Sequence, residues 1–335
     1  MRAFGVSRKW AVALSAAVVL FAGQAQAEND PTKVVGPNAC AECHKFTTEV
    51  WKGTHHFSTF TDLPRADKAR EIADKMGVRR IKTESICTTC HFTKQEKGGK
   101  DAAIAGISCE SCHSAGADWI KLHSSYSGKK KETETPAEAQ SRWEKSEAAG
   151  MIRPANLYAL SKNCFSCHVV PQEKLVNEGG HPAGSAFELV AWSQGEVRHN
   201  LWYTEGKENK VASVERQRML FVMGIVVELE TAIRAVGKAT ERKDYAVAMA
   251  QRAAAVRSKA SQLAKLLPGV PELAEIAAAG EAAALKLNND AELTAAADKI
   301  AVAAKKLAAN HDGSKFGAID PALPAAANYK GKPAR

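Results

Sequence analysis

Cys40-Ala41-Glu42-Cys43-His44, Cys87-Thr88-Thr89-Cys90-His91, Cys109-Glu110-Ser111-Cys112-His113 and Cys164-Phe165-Ser166-Cys167-His168 are four copies of one pattern. Together they use every cysteine of the 335-residue chain. Two thiols separated by two residues lie on one side of a tight turn. They can add to the two vinyl groups on one edge of a porphyrin. The histidine that follows at once then sits under the ring with a nitrogen facing the iron. The spacing therefore predicts four covalently attached haem c groups. Cys40, Cys43, Cys87, Cys90, Cys109, Cys112, Cys164 and Cys167 are the attachment points, and His44, His91, His113 and His168 the proximal iron ligands. Eight cysteines in an exported chain would otherwise suggest four disulfides. Cys87/Cys90 with Cys109/Cys112 can also be drawn as a zinc ribbon. Neither alternative explains a histidine after every second cysteine.

Each iron has a sixth position to fill. The histidines outside the motifs are His55, His56, His123, His181, His199 and His311. Of these, His56, His123, His181 and His199 are the candidate distal ligands. His56 follows its own motif by twelve residues and can reach a neighbouring haem, whereas the adjacent His55 points to another helix face. His123 lies ten residues after His113, His181 follows a Gly-Gly turn, and His199 lies between Trp192 and Trp202. His311 reads as a surface residue. Met76 and Met151 are alternative ligands, although methionine more often fills gaps in packing. Trp51, Trp119, Trp143, Trp192 and Trp202 can pack on haems, with ordinary core packing as the simpler expectation.

Outward from the motifs, the N-terminus reads as an export signal. Arg2, Arg8 and Lys9 precede a mostly apolar run, Trp10 to Gly23, which is shorter than the ~20 residues a bilayer span needs. Ala25-Gln26-Ala27 supplies a small-x-small cleavage site, so residues 1–27 are expected to be removed and the mature protein to be periplasmic. No other segment can cross a membrane. The composition shifts near residue 206. Residues 28–205 carry the motifs, with 23 basic and 23 acidic residues, and residues 206–335 carry 20 basic and 14 acidic ones. The basic excess of the mature chain thus lies wholly in the C-terminal part. Export and scarce aromatic residues argue against nucleic-acid binding.

Helices are predicted over Arg65 to Met76 and over Pro136 to Ala149, the latter with Thr135 as N-cap. Lys94 to Lys100 and Ser127 to Lys131 read as exposed loops. Beyond residue 206, apolar stripes recur at helical spacing: Val222 to Val236, Met249 to Leu267, Leu273 to Leu287 and Leu293 to Leu307. Pro268-Gly269 and Asn288-Asn289-Asp290 break them. The fold class is therefore mainly α. A haem-packed cytochrome domain with little sheet (28–205) precedes an antiparallel helical bundle (206–310) and a flexible tail (311–335).

Cys40-Ala-Glu-Cys43-His44 followed by Trp51-Lys-Gly-Thr54-His55-His56 resembles the N-terminal signature of the tetrahaem cytochrome c-554 family. Gly106-Ile107-Ser-Cys109-Glu-Ser-Cys112-His113 is similar to that family's third motif. The resemblance covers roughly Pro37 to Asn200 and stops before the bundle. It implies an electron carrier with stacked haem pairs, His56 as distal ligand to a haem other than its own, and the second-motif haem as the one most open to substrate.

Functionally, the chain reads as a periplasmic electron carrier rather than an enzyme, linking a quinol-linked donor to a terminal reductase or oxidase. One alternative is a reductase acting on a small nitrogen or oxygen species at a five-coordinate haem. Another is a membrane-anchored quinol dehydrogenase, if the apolar run stays uncleaved. The basic helices invite an acidic redox partner, or a homodimer through the bundle.

Overall fold

The computed structural model describes residues 29–332; the export signal predicted over residues 1–27 lies outside them. The first helices are short: α1 (Pro37–Ala41), α2 (Lys45–Lys52), α3 (His55–Asp62), α4 (Asp67–Lys75) and α5 (Ser85–His91). A hairpin of β1 (Thr93–Lys97) and β2 (Lys100–Ala105) follows. Then come α6 (Cys109–His113), α7 (Ile120–His123), α8 (Pro136–Ala148), α9 (Leu157–His168), α10 (Glu173–Asn177) and α11 (Leu189–Ser193). The mainly α expectation holds, with a single two-stranded sheet among the described residues.

That sheet corrects one expectation. Lys94 to Lys100 is not a loop. Gly98 and Gly99 both adopt positive φ, +60° and +77°, which suits a two-residue turn whose twist matches the flanking strands. α8 begins as expected: the Thr135 side chain accepts from Glu138 N, while the Glu138 side chain reaches back to Thr135 N.

Four long helices complete the chain: α12 (Val214–Gly237), α13 (Asp244–Leu266), α14 (Pro271–Ala282) and α15 (Asp290–Asn310). Short connections turn each helix back on the one before, and α12 also packs on α15, closing a four-helix bundle. Ser213 caps α12 by accepting from Arg216 N, and Pro271 opens α14. The apolar stripes are spent inside. Val222, Val226, Leu229 and Ile233 of α12, Met249 and Ala253 of α13, Ile276 of α14 and Leu293 and Ile300 of α15 are all buried.

α12 is buried on more than its bundle face, because α9 and α11 cover its other side. One apolar cluster runs from Leu157 and Phe165 through Val190 into the bundle. The composition break at residue 206 is therefore not a break in packing. The segment after Asn310 also differs from expectation. Phe316 and Ile319 are buried, and Arg218 grips Asp320 through two hydrogen bonds of 2.6 and 2.7 Å. Lys330 pairs with Ala191 and Glu196 through its backbone. The tail is a strap across α11 and α12 rather than a loose end. Among the described residues no helix is long and apolar enough to cross a membrane.

Candidate functional site: four paired histidines

Motifs two, three and four lie on α5, α6 and the last turn of α9, and His44 closes the first motif with its N–H on the Cys40 carbonyl at 2.8 Å. Helical spacing puts both thiols of each motif on one side. All eight thiols are free of disulfides. Among the described residues no group of three or more His, Cys, Asp or Glu side chains is gathered as a metal cluster, so the cysteine pairs do not form a zinc ribbon.

Every motif histidine faces one histidine from elsewhere in the chain. His44 faces His123 with ring centres 6.3 Å apart. His91 faces His181 at 6.2 Å, His113 faces His199 at 6.2 Å, and His168 faces His56 at 6.4 Å. A metal–imidazole bond of about 2 Å on each side, plus roughly 1 Å from nitrogen to ring centre, separates two rings across one iron by roughly 6 to 6.5 Å. All four separations fall in that range. The four partner rings belong to His123, His181, His199 and His56, and His56 pairs with a motif other than its own.

Hydrogen bonds fix several of these rings. His113 Nδ1 donates to Ile152 O, His123 Nδ1 to Ile120 O, His181 Nδ1 to Pro182 O and His199 Nδ1 to Val197 O, at 2.6 to 2.8 Å. A carbonyl can only accept, so Nε2 is left as the basic nitrogen, the tautomer a metal requires. His168 Nδ1 meets Ser185 Oγ at 2.8 Å. Burial first, then the charges of facing histidines, lowers the pKa of His91 and of His168 to about 4. Burial also brings His113 to about 4, against a raising contribution from its bond to Ile152. His44, His56 and His123 are lowered as well, mainly by burial. These rings are neutral near pH 7, as ligation demands.

The two remaining histidines are bound otherwise. His55 Nδ1 contacts the buried carboxylate of Glu196 at 2.7 Å, and His311 Nε2 contacts Glu272 at 3.1 Å. Met76 packs beneath Gly179 and faces no ring.

Further observations fit a bulky polar-edged group at these positions. Among the described residues seven buried side-chain polar atoms lack a hydrogen-bond partner, and five of them lie beside the motifs or the paired rings: Thr88 Oγ1, Trp119 Nε1, Ser161 Oγ, Arg198 Nε and Arg252 Nη2. Most are donors, and propionates would accept from donors. Among the tryptophans, Trp202 lies 4.7 Å from the His44 ring and Trp119 sits edge-on to His123 at 5.2 Å. Trp143 is instead held between Arg142 and Arg153, and Trp51 Nε1 donates to Ile107 O.

Three contributors were not singled out from sequence. Phe187 stacks on His168 at 4.1 Å and 20°. Arg252 of α13 donates to Glu228 at 2.7 Å and to the His168 carbonyl at 3.3 Å, bringing the bundle to the fourth motif. Glu110, inside the third motif, is fully buried and accepts from the backbone N–H groups of Val35, Gly36 and Gly116 at 2.7 to 2.9 Å. A carboxylate between two heme-motif cysteines was the available signal for Glu110.

The pairs are themselves grouped. After burial, nearby His123 and His199 help to lower the pKa of His44, His199, His44 and His123 help to lower that of His113, and the Cys40 and Cys109 thiols are hydrogen-bonded. His91, His168 and His56 form the second group, with the Cys90 and Cys167 thiols hydrogen-bonded. Asn163 of α9 joins the groups by donating to the Ser111 and Cys112 carbonyls at 2.6 and 3.2 Å. No curated protein and no solved structure matches the chain. Residues 39–114 match the family model for cytochrome c554 and c-prime, a likeness to c-type cytochromes, which carry covalent haem c and transfer electrons.

Proposed function

We propose that the chain is a periplasmic tetrahaem electron carrier whose four irons are each held between two histidines. The four ring pairs at 6.2 to 6.4 Å carry this reading. Each haem, when bound, supplies a one-electron ferric/ferrous couple, and bis-histidine ligation favours a low potential because methionine is the ligand that raises it. The eight motif cysteines hold the groups covalently. His44/His123, His91/His181, His113/His199 and His168/His56 would each hold one iron between two imidazoles and keep substrate from it. His181 closes the second-motif position that the family resemblance would leave open.

The grouping of the rings gives the order first, third, fourth and second motif along the path. Export through a cleaved leader, a quinol-linked donor and a reductase or oxidase acceptor complete the reading. The bundle's main apolar stripes are buried, so a homodimer through it would use its outer faces, on which Val247, Leu266 and Val302 are exposed among charged residues.

A pyridine haemochrome assay should return four haems per chain. The ferric protein should give only low-spin EPR signals and no spectral response to cyanide or nitric oxide. A high-spin component that binds either molecule would refute the carrier and favour a reductase with one open iron.

A further inference from the structure

Four of the ten large apolar side chains exposed on the described surface surround a single histidine pair, His44/His123. They are Phe46, Leu122, Trp202 and Tyr203. Tyr203 is 92% exposed. It stands on a turn in which Glu205 takes the left-handed conformation at φ +52°, followed by Gly206 at +80°. A β-carbon on Gly206 would lie 2.4 Å from the Phe46 ring, so the turn is pressed flat against Phe46. Thr204 Oγ1 donates to Glu208 O at 2.7 Å and pins the turn. A non-glycine left-handed residue costs energy. Holding an aromatic side chain out into water on such a turn gains nothing for folding.

The rim of this patch is basic. Residues 42–46, 119–132 and 202–207 together hold six lysines and three glutamates. Lys121, Lys130 and Lys131 are exposed and make no ion pair among the described residues, and Lys131 Nζ sits 5.3 Å over the Trp202 ring. An aromatic centre with a charged rim is the composition of a protein-docking surface. The His44/His123 pair also stands at one end of the ring order, where electrons must arrive or leave.

We propose that this face is the docking port for a redox protein whose own electron-transfer site is ringed by carboxylates. Tyr203 and Trp202 form its desolvated centre, with Lys121, Lys130 and Lys131 steering the approach. The proposal rests on the tetrahaem carrier reading and adds to it which haem exchanges electrons with the partner. Trp202, 4.7 Å from the His44 ring, supplies an aromatic step to it from the surface.

The test uses the full holoprotein and plant-type ferredoxin, a small acidic redox protein, as a probe donor in stopped-flow reduction. Reversing three charges together (Lys121→Glu, Lys130→Glu, Lys131→Glu) should lower the bimolecular rate about tenfold or more at low ionic strength. The difference should vanish at about 0.5 M salt. Tyr203→Ser should weaken saturation several-fold at any salt. Reduction by dithionite should be unchanged in both variants. Carbodiimide crosslinks should join the probe to the three lysines. Unchanged ferredoxin rates, or crosslinks confined to bundle lysines such as Lys259 and Lys299, would overturn the proposal. A dimer that Tyr203→Ser dissociates would overturn it in favour of a second copy on this face. Fewer than four haems, or a high-spin wild type, would instead overturn the carrier reading beneath it.

Discussion

Glu230 is the joint between the bundle and the fourth motif, and its removal has a calculable effect. Its side chain is 1% exposed on α12 and accepts from Lys162 Nζ at 2.6 Å, Tyr158 Oη at 2.9 Å and Arg234 Nε at 3.0 Å. Tyr158 and Lys162 lie one turn apart on α9, just ahead of Cys164. Glu230→Gln keeps the shape and an acceptor for Tyr158 but removes the charge opposite two cations. At the effective dielectric of a partly buried site, one close pair contributes up to about 4 kcal/mol. Arg234 keeps Asp298 at 2.6 Å, so most of the loss falls on Lys162. A destabilisation of about 3 kcal/mol at pH 7 follows, within the range for a broken buried pair. Burial already lowers the Lys162 pKa below 10.5 despite the raising effect of Glu230, and the variant lowers it further. The unfolded chain then holds the proton more tightly than the folded one. Stability is therefore flat below the folded pKa and rises with pH from there towards 10.5, with the rise starting at a lower pH in the variant. Urea unfolding of the holoprotein, followed by far-UV circular dichroism and the Soret band, measures both. A Glu230→Leu/Lys162→Met double variant should recover most of the loss. A loss under about 0.5 kcal/mol, or no change in the pH profile between wild type and variant, would refute the argument.

Other outcomes follow from single contacts. His199→Ala should leave four haems attached but convert one of the four from low to high spin, read by EPR and by new cyanide binding. Gly106→Ala places a β-carbon 2.2 Å from the His56 carbonyl, so it should displace His56 and loosen the iron paired with His168, visible as a temperature-dependent high-spin fraction. Glu110→Ala strips three backbone donors of a buried charged acceptor, and at ~1.5–3 kcal/mol per such bond, with overlap, should cost about 4 kcal/mol or more in urea unfolding. Expression without haem attachment should keep about half of the far-UV helix signal, because α12 to α15 bury their own stripes, while residues 28–205 become protease-sensitive.

The cofactor was legible because the motifs are local: two thiols and a histidine within five residues leave no role for tertiary structure. The bundle was legible for the same reason, since the stripe from Val222 to Val236 repeats at helical spacing and stays buried. Which distal histidine faces which motif was not legible. His168 and His56 are far apart in sequence, and nothing near His56 distinguishes His168 from His91 as its partner. The tail was misread because Gly, Pro and Lys after Asn310 mimic a loose end. Its fixing points, Phe316, Ile319 and Asp320, act through distant partners such as Arg218. The hairpin was misread because its charged residues outweighed the Gly98-Gly99 turn signal.

The composition break near residue 206 invites a modular account in which the bundle is an accessory. Packing argues otherwise. Helices of five to eight residues, such as α5, α6 and α11, cannot hold themselves together in water. In a haem-bearing region the porphyrins supply much of the missing apolar surface, but only where they reach. α9, which ends in the fourth motif, is instead seated on α12 through Leu157, Phe165 and the Glu230 network. Arg252 extends the same support to the His168 carbonyl, and the tail strap closes over Ala191 and Glu196. Glu196 in turn holds His55, the neighbour of His56, so the far end of the chain braces the ring that faces His168. The bundle is thus the rigid wall against which the fourth histidine pair is set. It leaves the His44/His123 end of the proposed path, farthest along the ring order, as the face on which the proposed partner would dock.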